Sequence, residues 1–247
     1  MTHHPVKRAA RGRVILLVLL VVLVAAAVAA APAVAATSTT LSVKAQTPTV
    51  PWNSQAILNG ILQTATAPPL SVDQQEIWVQ YSTSSTGPWT EIPDFVTNAF
   101  APYSSGEYTY DWTATRNHYW QMVFKGTAEW GPKTSNVVYV KVVPVIGKPT
   151  CPSAIRHGKK FTVSGSLKPR YPSGSRNVKI KAQRYSSGKW KAYKTYTATT
   201  TNSGSYSKYS LKFSISKTGK FRFYATTANT TTLAAGKSAY SRSMSVK

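Results

Sequence analysis

Beyond residue 36 the chain alternates apolar and polar residues in short runs, and Gly, Pro, Asn and Ser close most of them. Successive side chains of a strand point to opposite faces, so this alternation marks strands with one buried face. Helical spacing is almost absent after the N-terminal leader. The pattern predicts strands over 39–45, 55–63, 76–82, 89–92, 107–112, 118–125 and 136–142. A second series follows over 160–167, 177–185, 190–196, 205–215, 220–226 and 239–246, with a weaker edge strand near Thr150. Many short strands with frequent turn signals point to an all-β chain of the β-sandwich kind.

The two series run in parallel. Ala56-x-Leu58-x-Gly60-x-Leu62 corresponds to Phe161-x-Val163-x-Gly165-x-Leu167, and Ser85-Thr86-Gly87-Pro88-Trp89 to Ser186-Ser187-Gly188-Lys189-Trp190. Ser105-Gly106-Glu107-Tyr108 corresponds to Ser203-Gly204-Ser205-Tyr206. The offsets of 105, 101 and 98 residues drift as loop lengths allow. The chain therefore reads as a duplicated domain over 37–143 and 150–247, joined by a semi-rigid, proline-flanked linker at 144–149.

Three stretches carry a resemblance: Gly158-Lys-Lys-Phe-Thr-Val-Ser-Gly165-Ser-Leu-Lys-Pro169, Tyr185-Ser-Ser-Gly-Lys-Trp190 and Gly219-Lys-Phe-Arg-Phe-Tyr224. They resemble bacterial Ig-like repeats of secreted and cell-surface proteins from high-GC Gram-positive (actinobacterial) species, and the first half resembles related repeats more loosely. The resemblance implies two tandem Ig-like β-sandwich domains. It also implies a spacer, adhesion or wall-associated role.

The first 36 residues read as an export signal, so the chain is expected outside the cytoplasm. Lys7, Arg8, Arg11 and Arg13 precede an unbroken apolar run from Val14 to Ala31, and Ala33-Val34-Ala35 supplies a small-x-small cleavage pattern. The run is just long enough to be an uncleaved anchor. Pro32 and the polar Thr37-Ser38-Thr39-Thr40 favour cleavage after Ala35 or Ala36, giving a secreted chain with no later membrane span. Cys151 is the single cysteine. An intrachain disulfide is thereby excluded, and packing must hold each domain. An intermolecular disulfide through Cys151 is the alternative to a small buried residue beside Pro152.

Charge then separates the halves. Residues 144–247 hold 21 lysines and arginines and no aspartate or glutamate, whereas 37–143 carry a net charge of −2. Alternation in 177–185 puts Val178, Ile180 and Ala182 on one face and Lys179 and Lys181 on the other. In 220–224 it opposes Phe221 and Phe223 to Lys220, Arg222 and Tyr224. Lys179, Lys181, Lys220 and Arg222 are expected to form an exposed ladder, extended by Lys189 and Lys191. Tyr185, Tyr193 and Tyr224 are candidate stacking rings, alongside Trp190 and Tyr196. A surface that only solubilises mixes both signs. This one invites an anionic cell-wall polymer, an acidic polysaccharide or extracellular DNA bound without sequence specificity. A structural or adhesive protein–protein module with solubilising lysines is the alternative.

Catalytic and metal constellations are thin. His118 follows Asp111 by seven residues, but no nucleophile motif accompanies the pair. Paired carboxylates for glycoside hydrolysis could come only from Asp73, Glu76, Glu91, Asp94, Glu107, Asp111 and Glu129, and these fall mostly near turns. One cysteine and, beyond the leader, the two scattered histidines His118 and His157 do not make a zinc site, and acid patterns for calcium are missing around Asp73, Glu76 and Asp94. The chain is therefore expected to be non-catalytic, with no cofactor and no metal, and an extracellular hydrolase is a distant alternative. Among the tryptophans, Trp78, Trp120 and Trp190 are expected in cores. Trp112 is left undetermined, and Trp130 or Trp52 is a candidate for a sugar platform.

Overall fold

Alternation becomes strand over most of the expected runs. In the computed structural model, which describes residues 35–97, 106–175 and 177–247, β1 (Thr39–Ala45) buries Thr39, Leu41, Val43 and Ala45 and exposes the residues between them. The body of the expected leader lies outside the described residues. The first half continues with β2 (Thr49–Pro51), β3 (Ser54–Thr64), β4 (Glu76–Ser82), β5 (Thr90–Thr97), β6 (Glu107–Ala114), β7 (His118–Phe124), β8 (Lys133–Thr134) and β9 (Val138–Val143). The second contains β10 (Val145–Ile146), β11 (Ala154–Ile155), β12 (Phe161–Lys168), β13 (Val178–Ser186), β14 (Lys189–Ser203), β15 (Tyr206–Phe213), β16 (Gly219–Thr227) and β17 (Met244–Val246). The described residues form no helix, and hence none long and apolar enough to cross a membrane.

The fold is all-β and consistent with β-sandwich construction. One sheet runs β1-β3-β6 and another β2-β9-β7-β4-β5, with β8 on the end of β7. In the second half the order is β10-β12-β15-β14-β13-β16-β17-β11. There β14 serves two neighbours in turn: Lys189 to Ala198 pairs with β13, and Thr199 to Ser203 pairs with β15. No strand up to Val143 pairs with one from Val145 onward among the described residues. Leu58, Leu62, Ile77 and Met122 in the first half and Ile180, Phe221 and Phe223 in the second are fully buried. Each contributes about 1.5–3 kcal/mol by leaving water, which serves a chain whose single cysteine is free.

One device recurs in both halves. Gly60 lies opposite Tyr108 in the β3–β6 pair, and Gly165 lies opposite Tyr209 in the β12–β15 pair. Each tyrosine lies across its glycine, and its hydroxyl donates to a carbonyl beyond it: Ser42 on β1 for Tyr108, and Gly147, just after β10, for Tyr209 at 2.9 Å. A Cβ on either glycine would overlap the phenol, so it is close approach that requires glycine here. Burial pushes both phenols well above the usual tyrosine pKa. Tyr108 is thus the counterpart of Tyr209, not of Tyr206 as the sequence correspondence had it. The glycines of that correspondence also differ. Gly106 has φ +74° and is pressed against the Leu62 carbonyl, whereas Gly204 has φ +60° in an open turn.

The junction between the halves is held by more than the chain. Val145 and Ile146, expected in the linker, pair with Lys168 and Leu167 as an edge strand. The loop after β16 reaches back to the first half. Asn117 N donates to the Thr232 carbonyl at 2.7 Å, and Ala234 N donates to the Val142 carbonyl at 2.8 Å. Asn117 is itself buried and accepts from Val142 N through Oδ1 at 2.7 Å. Leu233 is buried in this contact, and a Cβ on Gly236 would stand 2.8 Å from Pro144.

Candidate anion-binding face

A bulge decides which side chains share the basic face. Between β13 and β14 the register slips at Ala182/Gln183: Ala182 faces Lys194 and Gln183 faces Ala192, leaving Tyr193 extra. On the far side of the slip every side chain of β14 changes face relative to uninterrupted alternation. Trp190 comes opposite Tyr185 on the outer face, while Lys191 faces Arg184 and Lys189 faces Ser186. Lys189 and Lys191 are therefore off the ladder, on the opposite side of the hairpin. Tyr193 turns toward the core, with its ring 5.2 Å from that of Phe221, so it does not join the stacking rings. Trp190 is not a core residue, for the same reason.

Lys179, Lys181, Lys220 and Arg222 do share one face. Lys181 lies opposite Tyr224, Gln183 opposite Arg222, and Lys179 opposite Thr226. Lys220 follows the alternation of β16 to the same side, opposite Ser245. The lysines thus lie diagonally on the sheet, not in direct cross-strand register. Lys179 Nζ donates to Thr197 Oγ1 at 2.8 Å. Two residues missed by the sequence reading complete the face. Lys237 bridges to Thr226, and Tyr240 packs edge-on to Tyr224 at 5.2 Å.

Rings and cations interleave across this surface. The Arg222 guanidinium lies 3.8 Å from the Tyr240 ring centre and 4.5 Å from that of Trp190, and its Nε donates to Gln183 Oε1 at 2.7 Å. Lys237 sits 4.9 Å from Tyr224 and 5.3 Å from Tyr240, and Lys181 is 6.0 Å from Tyr224. Tyr185 is exposed beside Trp190 at 5.3 Å. A ring face attracts a cation through its quadrupole by about 0.5–1 kcal/mol at exposed sites, without neutralising it. Residues 144–247 contain no aspartate or glutamate, and among the described residues none of these cations is in a salt bridge.

The other candidates are scattered. Asp111 accepts from Gln55 Nε2 at 2.6 Å, and His118 packs on the rings of Tyr81 at 4.8 Å and Trp120 at 5.7 Å. Burial first, and the nearby Arg116 second, hold the imidazole below its usual pKa. Among the described residues no three His, Cys, Asp or Glu side chains gather as metal ligands; the side chain of Asp94 lies outside them. Cys151 is buried, and Arg242 donates to its carbonyl at 3.1 and 3.2 Å. Burial pushes the thiol up. Trp120 is in the core as expected, but Trp78 faces outward beneath Lys125, whose Nζ is 3.4 Å from the ring centre. Trp52, Trp112 and Trp130 are partly buried against the core.

No protein-family model matches the chain, and no curated protein matches it.

Proposed function

We propose that this is a secreted, non-catalytic binding protein of two tandem Ig-like β-sandwich domains, whose basic second domain holds anionic polymers of the cell envelope or of the extracellular space. The observation that carries the reading is the shared outer face of β13, β14 and β16. Lys179, Lys181, Lys220, Arg222 and Lys237 lie there among Trp190, Tyr185, Tyr224 and Tyr240, in a stretch of chain with no acid of its own. Like charges about 5 Å apart in water repel by less than ~1 kcal/mol per pair, which the fold tolerates and a bridging polyanion relieves. The interleaved rings suit sugar or base stacking beside the cations. The Ig-like reading of the halves is supported by the β1-β3-β6 and β2-β9-β7-β4-β5 sheets and by the Gly–Tyr device at matching places in both.

The test is the salt dependence of binding by the full chain, with duplex DNA as the trial polyanion. Four phosphate contacts, each adding about 0.9 to the log–log slope, predict a slope of roughly −3 to −4. Replacing Lys179, Lys181, Lys220 and Arg222 together by Gln should flatten it. Lys208→Gln with Lys212→Gln, on the sheet of β15 and β12, should change it less. An unchanged slope in the fourfold variant removes the face from the explanation. Equal losses from both sheets would mean diffuse charge and no site.

A further inference from the structure

Resting on that reading, we infer that Arg222 recognises a single oxyanion group of the polymer by shape, through an in-plane fork, while the surrounding lysines supply charge alone. A guanidinium has five N–H donors in a fixed plane. At Arg222 the Nε donor is held by Gln183 at 2.7 Å. Trp190 approaches from the β14 side, and Tyr240 from the segment that runs along the other edge of β16. Both ring centres lie within 4.5 Å of the guanidinium carbon, and among the described residues the hydrogen bond of its side chain to protein is the one from Nε. Among the described residues no other arginine lies over an aromatic ring. Arg184 donates to the Thr218 carbonyl on the far face, and Arg242 turns two donors onto the Cys151 carbonyl.

A planar fork whose orientation is already fixed loses little freedom when it binds, and two parallel hydrogen bonds match the oxygen spacing of a phosphate or a carboxylate. Lysine cannot reproduce this, because its ammonium is a point charge on a flexible stem. Lys181 lies 6.0 Å from Tyr224, and Lys237, though near both Tyr224 at 4.9 Å and Tyr240 at 5.3 Å, has no planar donor set for those rings to orient. The chemistry recognised is therefore a two-oxygen anionic group repeated along a chain, carried either as phosphate or as carboxylate.

The experiment uses the full chain with inorganic polyphosphate and polygalacturonate as separate probes, at fixed salt and across a salt series. Arg222→Lys keeps the charge and loses the fork. It should weaken binding by about tenfold, the scale of a charge-assisted hydrogen bond, with the salt slope unchanged. Gln183→Leu and Tyr240→Leu alter no charge, yet should each weaken binding several-fold by releasing the guanidinium. A loss on polyphosphate alone assigns phosphate, a loss on polygalacturonate alone assigns carboxylate, and a loss on both assigns their common geometry. The inference is overturned if Arg222→Lys, still folded by thermal melt, binds both probes as the parent does. In that case a retained steep slope, flattened by the fourfold Gln variant, would leave the broader polyanion reading standing.

Discussion

Lys125 in the first half and Arg222 in the second both rest on aromatic rings, but only one is neutralised. Lys125 lies over Trp78 and is also paired with Glu91 at 2.9 Å. Arg222 lies between Trp190 and Tyr240 with an amide, not an acid, as its partner. The difference is one carboxylate, and it teaches what a ring can and cannot do for a cation. A ring positions the charge and leaves it available, whereas an acid also cancels it. Over residues 37–143 the acids outnumber the bases by two, and over 144–247 no acid interrupts 21 bases. A shared strand grammar therefore carries two different surfaces.

The sharpest way to break this comparison is to attack what the halves share. Gly60→Ala and Gly165→Ala each push a methyl into a buried tyrosine, and overpacking of this kind costs about 1–3 kcal/mol or more. Both should lower the urea midpoint by similar amounts. A silent substitution at either site would mean that the two devices are not equivalent. Tyr108→Phe and Tyr209→Phe are gentler, each removing one hydrogen bond at about 1 kcal/mol, and again the two losses should match.

A smaller effect separates the halves by pH. His118 is held below its usual pKa, so on acidification the unfolded chain takes up that proton before the folded one does. Stability is then lost as pH falls from the ordinary histidine range. Glu91 is also held low, chiefly by hydrogen bonds from Lys125 and Gln80, so its contribution is present above the ordinary carboxylate range and is lost as pH falls through its depressed pKa. Both groups belong to the first half. Hydrogen exchange, corrected for intrinsic rates, should show β4 and β7 losing protection as pH drops while β13 and β16 hold theirs. His118→Gln should remove the earlier step. Parallel loss in the two halves would defeat the expectation.

How much of this was legible beforehand depended on the length of each alternating run. β1 and β4 fall where the pattern put them; β1 alternates over all seven residues, and in β4 Ile77 and Val79 fix the buried face. β2, β8, β10 and β11 have two or three residues each, too few to alternate. The run expected over 239–246 forms regular strand only at Met244–Val246, although the chain follows β16 for longer. Ser238 and Ser241 explain this: their hydroxyls accept from Ala225 N and Phe223 N, replacing backbone carbonyls in the ladder. That substitution hid Lys237 and Tyr240 from the sequence reading. At the site, the faces of β13 and β16 could be read from alternation. Lys189, Lys191, Trp190 and Tyr193 could not, since a single bulge reverses the phase of β14 and no residue pattern announces it.

The loop between β16 and Lys237 has a mechanical meaning. Within a few residues it presents Lys237 on the basic surface, seats Leu233 in the junction, and accepts and donates backbone hydrogen bonds to Asn117 and Val142. A polymer held on that surface and pulled would load this loop directly. Tension would reach the first half along two routes in parallel, the covalent one through Pro144 and the hydrogen-bonded one through Thr232 and Ala234. The basic surface is thus tied to the first half by a second route besides the covalent one.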